Sequence, residues 1–121
     1  MTREEALKEA IRILEKEARD CEELTFRSVD YMNHPEKLDR IATWTVHLRT
    51  VTDGLRGIGQ REEALASAIR ILRKKADMGE RAANRPRDWE LIISEPRWSL
   101  MMAHAKHLRD VADGLEAGNG G

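Results

Sequence analysis

Aromatic residues make up only 4% of this 121-residue chain, and cysteine occurs once, as Cys21. A single cysteine excludes an intramolecular disulfide and suits a reducing compartment. Also missing is any apolar run long enough to cross a bilayer, and the N-terminal residues carry no apolar signal-peptide stretch. The expectation is a soluble, cytoplasmic protein with no membrane partner. β-Branched residues never alternate with polar ones over a useful length, so strands are not expected. Without strands no glycine-rich loop can open a nucleotide site. No Ser–His–Asp or Cys–His arrangement is readable, and no cofactor is expected. Cys21 falls on an apolar stripe and reads as a small core residue rather than a nucleophile. An excess of one charge is lacking as well. The formal net charge is −1, which argues against a general nucleic-acid or anionic-membrane binder. Locally the balance is less even: Arg70, Arg73, Lys74, Lys75, Arg81, Arg85 and Arg87 stand against only Asp77 and Glu80. That run reads as a solvated helix face, with a docking patch for an acidic partner as the alternative.

What is present is helix-forming and repetitive. Ala, Leu, Glu, Arg and Lys dominate, and charged residues reach 36%, the profile of amphipathic helices with solvated outer faces. REEALKEAIRILEKEA from Arg3 returns as REEALASAIRILRKKA from Arg61, and HLRTVTDGL from His47 returns as HLRDVADGL from His107. The chain therefore reads as one helical domain over 1–121, with repeat units 3–59 and 61–117 and a flexible tail at 118–121. Each unit is a helical hairpin with one apolar face, which it cannot bury alone. Two homologous hairpins in tandem can bury their faces together around a pseudo-twofold axis, so the predicted fold is an all-α four-helix bundle. Large apolar residues are few for helices this long, and the surface left over suits a second chain in a homodimer.

Thr2 and Glu5 have the spacing of a capping box, which starts the first helix near Arg3. Its stripe is Leu7, Ala10, Ile11, Leu14, Ala18, Cys21, Thr25, Ser28 and Met32. Asn33 is the next cap, with Pro35 in the following first turn. The second stripe is Leu38, Ile41, Thr45, Leu48, Thr52 and Leu55, with Gly54 weakening the last turn and Gly57 and Gly59 in a short link. The third is Leu65, Ala68, Ile69, Leu72, Ala76, Gly79 and Ala83, stopped by Asn84, Arg85 and Pro86. The segment from Asp88 to Ser94 has no counterpart in the first copy and predicts a short extra helix. It plugs the bundle end or meets a partner. Ser94 and Pro96 open the last helix, which runs to about Ala117 with Trp98, Met101, Ala105, Leu108, Ala112 and Leu115 inward.

The candidate functional residues lie where the copies differ. Trp98 reads as core, and Trp44 lies on the stripe flank at the position that His104 takes in the second copy. Thr43, Thr45, Thr50 and Thr52 supply hydroxyls nearby, satisfied by backbone carbonyls or by a ligand in a pocket between the second and fourth helices. Met101 and Met102 give an adaptable apolar margin. A binding surface for a protein partner or small ligand would therefore use Trp44, Trp89, Trp98, Met101, Met102 and His104. His104 and His107 have a spacing used by metal ligands, so a metal or haem bundle through His104 is one alternative. His107 falls well off the stripe and no carboxylate faces inward, which favours a boundary pair of histidines.

Another alternative is enzymatic. Arg40 with His47, and Arg97 with His104, each have six residues between them, two turns apart on one helix face. Such a pair resembles the motif of HEPN ribonucleases, which are all-helical and usually dimeric. The resemblance implies RNA cleavage by Arg40, His47, Arg97 and His104. The leading expectation remains a non-catalytic module that binds through the unlike half of its repeat. Small duplicated helical proteins of this kind look like phage or bacterial accessory proteins, and the regular opening also looks like a designed sequence.

Overall fold

The computed structural model describes residues 1–27, 35–84 and 95–119. Among them are four α-helices and no strand: α1 Arg3–Arg27, α2 Pro35–Leu55, α3 Arg61–Asn84 and α4 Glu95–Asn119. The all-α expectation holds. The continuation of the first helix to Met32, the Asn33 cap, the stop at Pro86 and the short helix from Asp88 to Ser94 lie outside the described residues.

The helix ends follow from local chemistry. The Glu5 N–H donates to Thr2 Oγ1 at 3.2 Å, and the Thr2 N–H donates to Glu5 Oε2 at 3.4 Å. This is the expected capping box, which satisfies amides that have no helical acceptor. α2 begins at Pro35, where its missing N–H is harmless. It closes in a Schellman arrangement. The Ile58 N–H donates to the Asp53 carbonyl at 2.9 Å and the Gly57 N–H to the Gly54 carbonyl at 3.0 Å. That geometry needs the left-handed backbone of Gly57, at φ 91°. α4 runs on to Asn119, past the end expected near Ala117; Gly118 and Asn119 tolerate the last turn although they do not favour it.

The chain divides into two compact units, Leu7–Ser67 and Met1–Ala6 with Ala68–Gly121. In the first, α1 and α2 run antiparallel. Arg49 Nε meets Glu22 Oε1 at 2.7 Å, and Arg56 pairs with Glu15. In the second, α3 and α4 are bridged in the same sense. Arg109 pairs with Asp77 and Glu80, and Arg73 with Glu116 and, at 3.1 Å, with Asp113. Hydrogen bonds to Glu116 first and Asp113 second raise the Arg73 guanidinium above its ordinary pKa. These pairs are well exposed, so each contributes roughly 0.2–1 kcal/mol and aligns the helices more than it holds them.

The holding is done by small and branched apolar residues. α1 buries Ala6, Ala10, Ile13, Leu14 and Ala18; α3 buries Ala64, Leu65, Ala68, Ile71, Leu72, Ala76 and Ala83. α2 contributes Leu48, Val51 and Leu55, and α4 contributes Ala105, Leu108, Val111, Ala112 and Leu115. The faces are rotated and widened relative to the expected stripes. Leu7, Ile11 and Ile69 are only half-buried, whereas Ala6, Ile13, Ile71, Val51 and Val111 are buried. Alanine at the closest points lets backbones approach, and this explains Gly54. It is buried, and a Cβ there would lie 2.3 Å from the Ala64 Cβ. Gly114, at the matching repeat position, would place a Cβ 2.7 Å from the Ala6 Cβ. The glycine expected to weaken α2 is therefore required by its neighbour.

Thr45 and Thr52 are buried as expected, and their hydroxyls donate within the helix. Thr45 Oγ1 bonds the Ile41 carbonyl at 2.8 Å and Thr52 Oγ1 the Arg49 carbonyl at 2.9 Å; Thr50 Oγ1 bonds the Val46 carbonyl at 2.9 Å. The backbone-satisfied reading covers these three. Thr52→Val is expected to change stability by less than about 1 kcal/mol in urea unfolding, because no acceptor is orphaned. A loss well above that would show that the hydroxyl serves a further partner.

Candidate functional surface

At the α3 end and α4 start, three side chains that differ between the copies come together. Trp98 Nε1 donates to Asn84 Oδ1 at 3.0 Å, and Asn84 Nδ2 lies 3.9 Å from Met102 Sδ. The repeat places Leu38, Phe26 and Ala42 at these positions in the first copy. Trp98 was expected in the core and is instead 39% exposed. It lies in the first turn of α4, above the stretch where that helix is buried, and the asparagine amide satisfies its indole N–H. Met101 and Met102 are half-buried, and His104 and Arg97 are exposed. Leu100 is 71% exposed, on the flank of α4 turned away from α3. Asn84 was readable only as a helix stop, and nothing in its spacing announced a side-chain acceptor for Trp98. Leu100 could have been noticed, since the matching residue of the first copy is Arg40. Trp89 lies outside the described residues.

The first unit carries a different surface. Asp39, Arg40, Thr43, Trp44 and His47 line an open depression of about 470 Å³ on one face of α2. The Trp44 and His47 rings are 5.6 Å apart and tilted by 39°. Arg40 and His47 therefore do share a face, with an indole between them. A second depression, of about 430 Å³, runs from His47, Thr50 and Val51 past Ile58 and Gln60 to Glu63 and Ser67. Trp44 is in the first unit and His104 in the second, so each takes its own unit's environment. Arg97 and His104 are exposed along α4.

His104 is exposed and His107 half-buried. Among the described residues, no three His, Cys, Asp or Glu side chains are grouped so as to hold a metal ion. Cys21 is half-buried. Of the basic run, Arg73 faces the carboxylates of α4, while Arg70, Lys74 and Arg81 are exposed. No helix among the described residues is long and apolar enough to cross a membrane. No protein family, curated protein or solved structure matches this chain.

Proposed function

We propose that the protein is a non-catalytic binding module that docks on a protein partner through the Trp98 surface of its second repeat. In this proposal the two repeat units are equivalent hairpins of a four-helix bundle with a pseudo-twofold axis, read from the repeat itself. Matched contacts, Gly54 on Ala64 in one compact unit and Gly114 on Ala6 in the other, support that equivalence. The observation that carries the functional reading is the exposed indole of Trp98, held by Asn84 beside the Met102 thioether. An indole with its N–H already bonded and its ring in water has little freedom left to lose on binding. Tryptophan is also the side chain most often found at the energetic centre of an interface, and methionine adapts to the partner's shape. A small ligand is a weaker fit, because Trp98 is 39% exposed in the first turn of α4 rather than enclosed. The lone cysteine fits a cytoplasmic setting.

The test is affinity capture from lysate of the source cells with wild type, Trp98→Ala and Trp44→Ala. A specific partner is expected with wild type and Trp44→Ala, and at least about tenfold less of it with Trp98→Ala. Equal recovery by all three, or no partner at all, would overturn the proposal. Native mass spectrometry of the wild type separates a foreign partner from a second copy of the chain.

A second reading, an Arg–His ribonuclease, is favoured by one observation: Arg40 and His47 line the same depression. It requires RNA cleavage that His47→Ala abolishes with helicity and melting temperature unchanged. Purified protein that leaves RNA intact eliminates it.

A further inference from the structure

The buried apolar faces say little about which helix belongs with which. Ala10, Ile13, Leu14 and Ala18 of α1 recur as Ala68, Ile71, Leu72 and Ala76 of α3, all buried. Leu48, Val51 and Leu55 of α2 recur as Leu108, Val111 and Leu115 of α4. The buried differences, Thr45 for Ala105 and Thr52 for Ala112, place hydroxyls on carbonyls of their own helix. Those bonds would be the same in any pairing. On apolar burial alone, α3 fits against α2 nearly as well as α1 does. Exchange of this kind, within a chain or between chains, is a characteristic failure of repeated sequences.

The ion pairs break the tie. Glu22–Arg49 and Glu80–Arg109 occupy matching positions with the same polarity, so exchange would leave them intact. The other matched pair is reversed: Glu15–Arg56 in the first unit becomes Arg73–Glu116 in the second. We infer that this reversal is a pairing code, which keeps α1 on α2 and α3 on α4 and rejects the exchanged combinations. In an exchanged pairing Arg73 would meet Arg56, and Glu15 would meet Glu116. Attraction turns to repulsion at both points. Arg19 in the place of Asp77 makes no net difference, because Arg49 and Arg109 are alike, and Asp53 and Asp113 make none either. An exposed pair adds little to stability, but discrimination depends on the difference between attraction and repulsion, and here each of the two exchanged pairings carries one such difference.

The full-length protein, refolded from urea at high protein concentration, tests this. The readout is the fraction recovered in the wild-type oligomeric state by analytical ultracentrifugation. Arg73→Glu with Glu116→Arg keeps an ion pair but gives the second unit the polarity of the first. Its melting temperature is expected within about 3 °C of wild type, because exposed pairs are weak. Its misassembled fraction is expected to rise about threefold. The mirror double variant, Glu15→Arg with Arg56→Glu, is expected to do the same, so the test survives if one double variant does not fold. Combining all four changes restores opposite polarities and is expected to return recovery to the wild-type level. Wild-type recovery in both double variants, or a quadruple variant that misassembles as much as they do, would overturn the inference.

Discussion

Gly54→Ala is expected to destabilise the protein by about 2 kcal/mol, although alanine favours a helix over glycine by about 1 kcal/mol. The reason is contact. The added Cβ would lie 2.3 Å from the Ala64 Cβ and 3.2 Å from the Gln60 carbonyl oxygen. Both atoms sit on backbone or directly beside it, so no flexible side chain can move aside, and α2 and α3 must separate at the link. Gly79→Ala makes the same chemical change with the opposite sign. Its Cβ would meet only the Ala105 Cβ, at 3.9 Å, an ordinary contact. That variant is expected to gain roughly 0.5–1 kcal/mol. Adding Ala64→Gly to Gly54→Ala moves the methyl to the other side of the contact and is expected to return stability to within about 1 kcal/mol of wild type. Urea unfolding of the four proteins checks all three expectations. Stabilisation by Gly54→Ala alone would show that the helices do not approach as closely as described.

Larger still is the expected effect of emptying a core position. Leu14 and Leu72 are fully buried at matching places in the repeat. Leu14→Ala and Leu72→Ala are each expected to cost about 2–5 kcal/mol, the lost transfer energy plus the cavity left behind. Because the surrounding residues recur between the copies, the two losses should agree to within about 1 kcal/mol. Leu24→Ala, at a side chain 49% exposed, should change stability by less than about 0.5 kcal/mol. A Leu72→Ala loss several times that of Leu14→Ala would contradict equivalent cores.

Helix starts were the most readable part of the sequence, because capping is a local affair. Thr2 with Glu5, and Pro35, needed no tertiary information. The buried faces were read less well, since a stripe picks one residue per turn while the apolar face of a helix spans a wide arc. Ile13 and Val51 each lie next to a stripe residue, on the part of that arc which a single stripe leaves out. Gly54 shows the limit differently: sequence reveals its poor helix propensity but not the alanine that faces it. Trp98 has the correct period for the core, yet periodicity does not say how far along α4 the burial extends. The charge reversal was visible as Glu15 against Arg73 and Arg56 against Glu116. It acquired meaning only once Glu15 was found beside Arg56, and Arg73 beside Glu116. The candidate site was half legible. Trp98 and Met102 stood out as departures from the first copy, whereas Asn84, which ties them together, did not.

The central functional claim is that binding belongs to the surface where the second copy departs from the first. Hydrogen exchange of the protein with and without the captured partner tests it most directly. Slower exchange is expected across residues 97–104 on binding, with the matching first-copy stretch, residues 37–44, unchanged. Protection of 37–44 with 97–104 unaffected, or equal protection of both, would contradict the account.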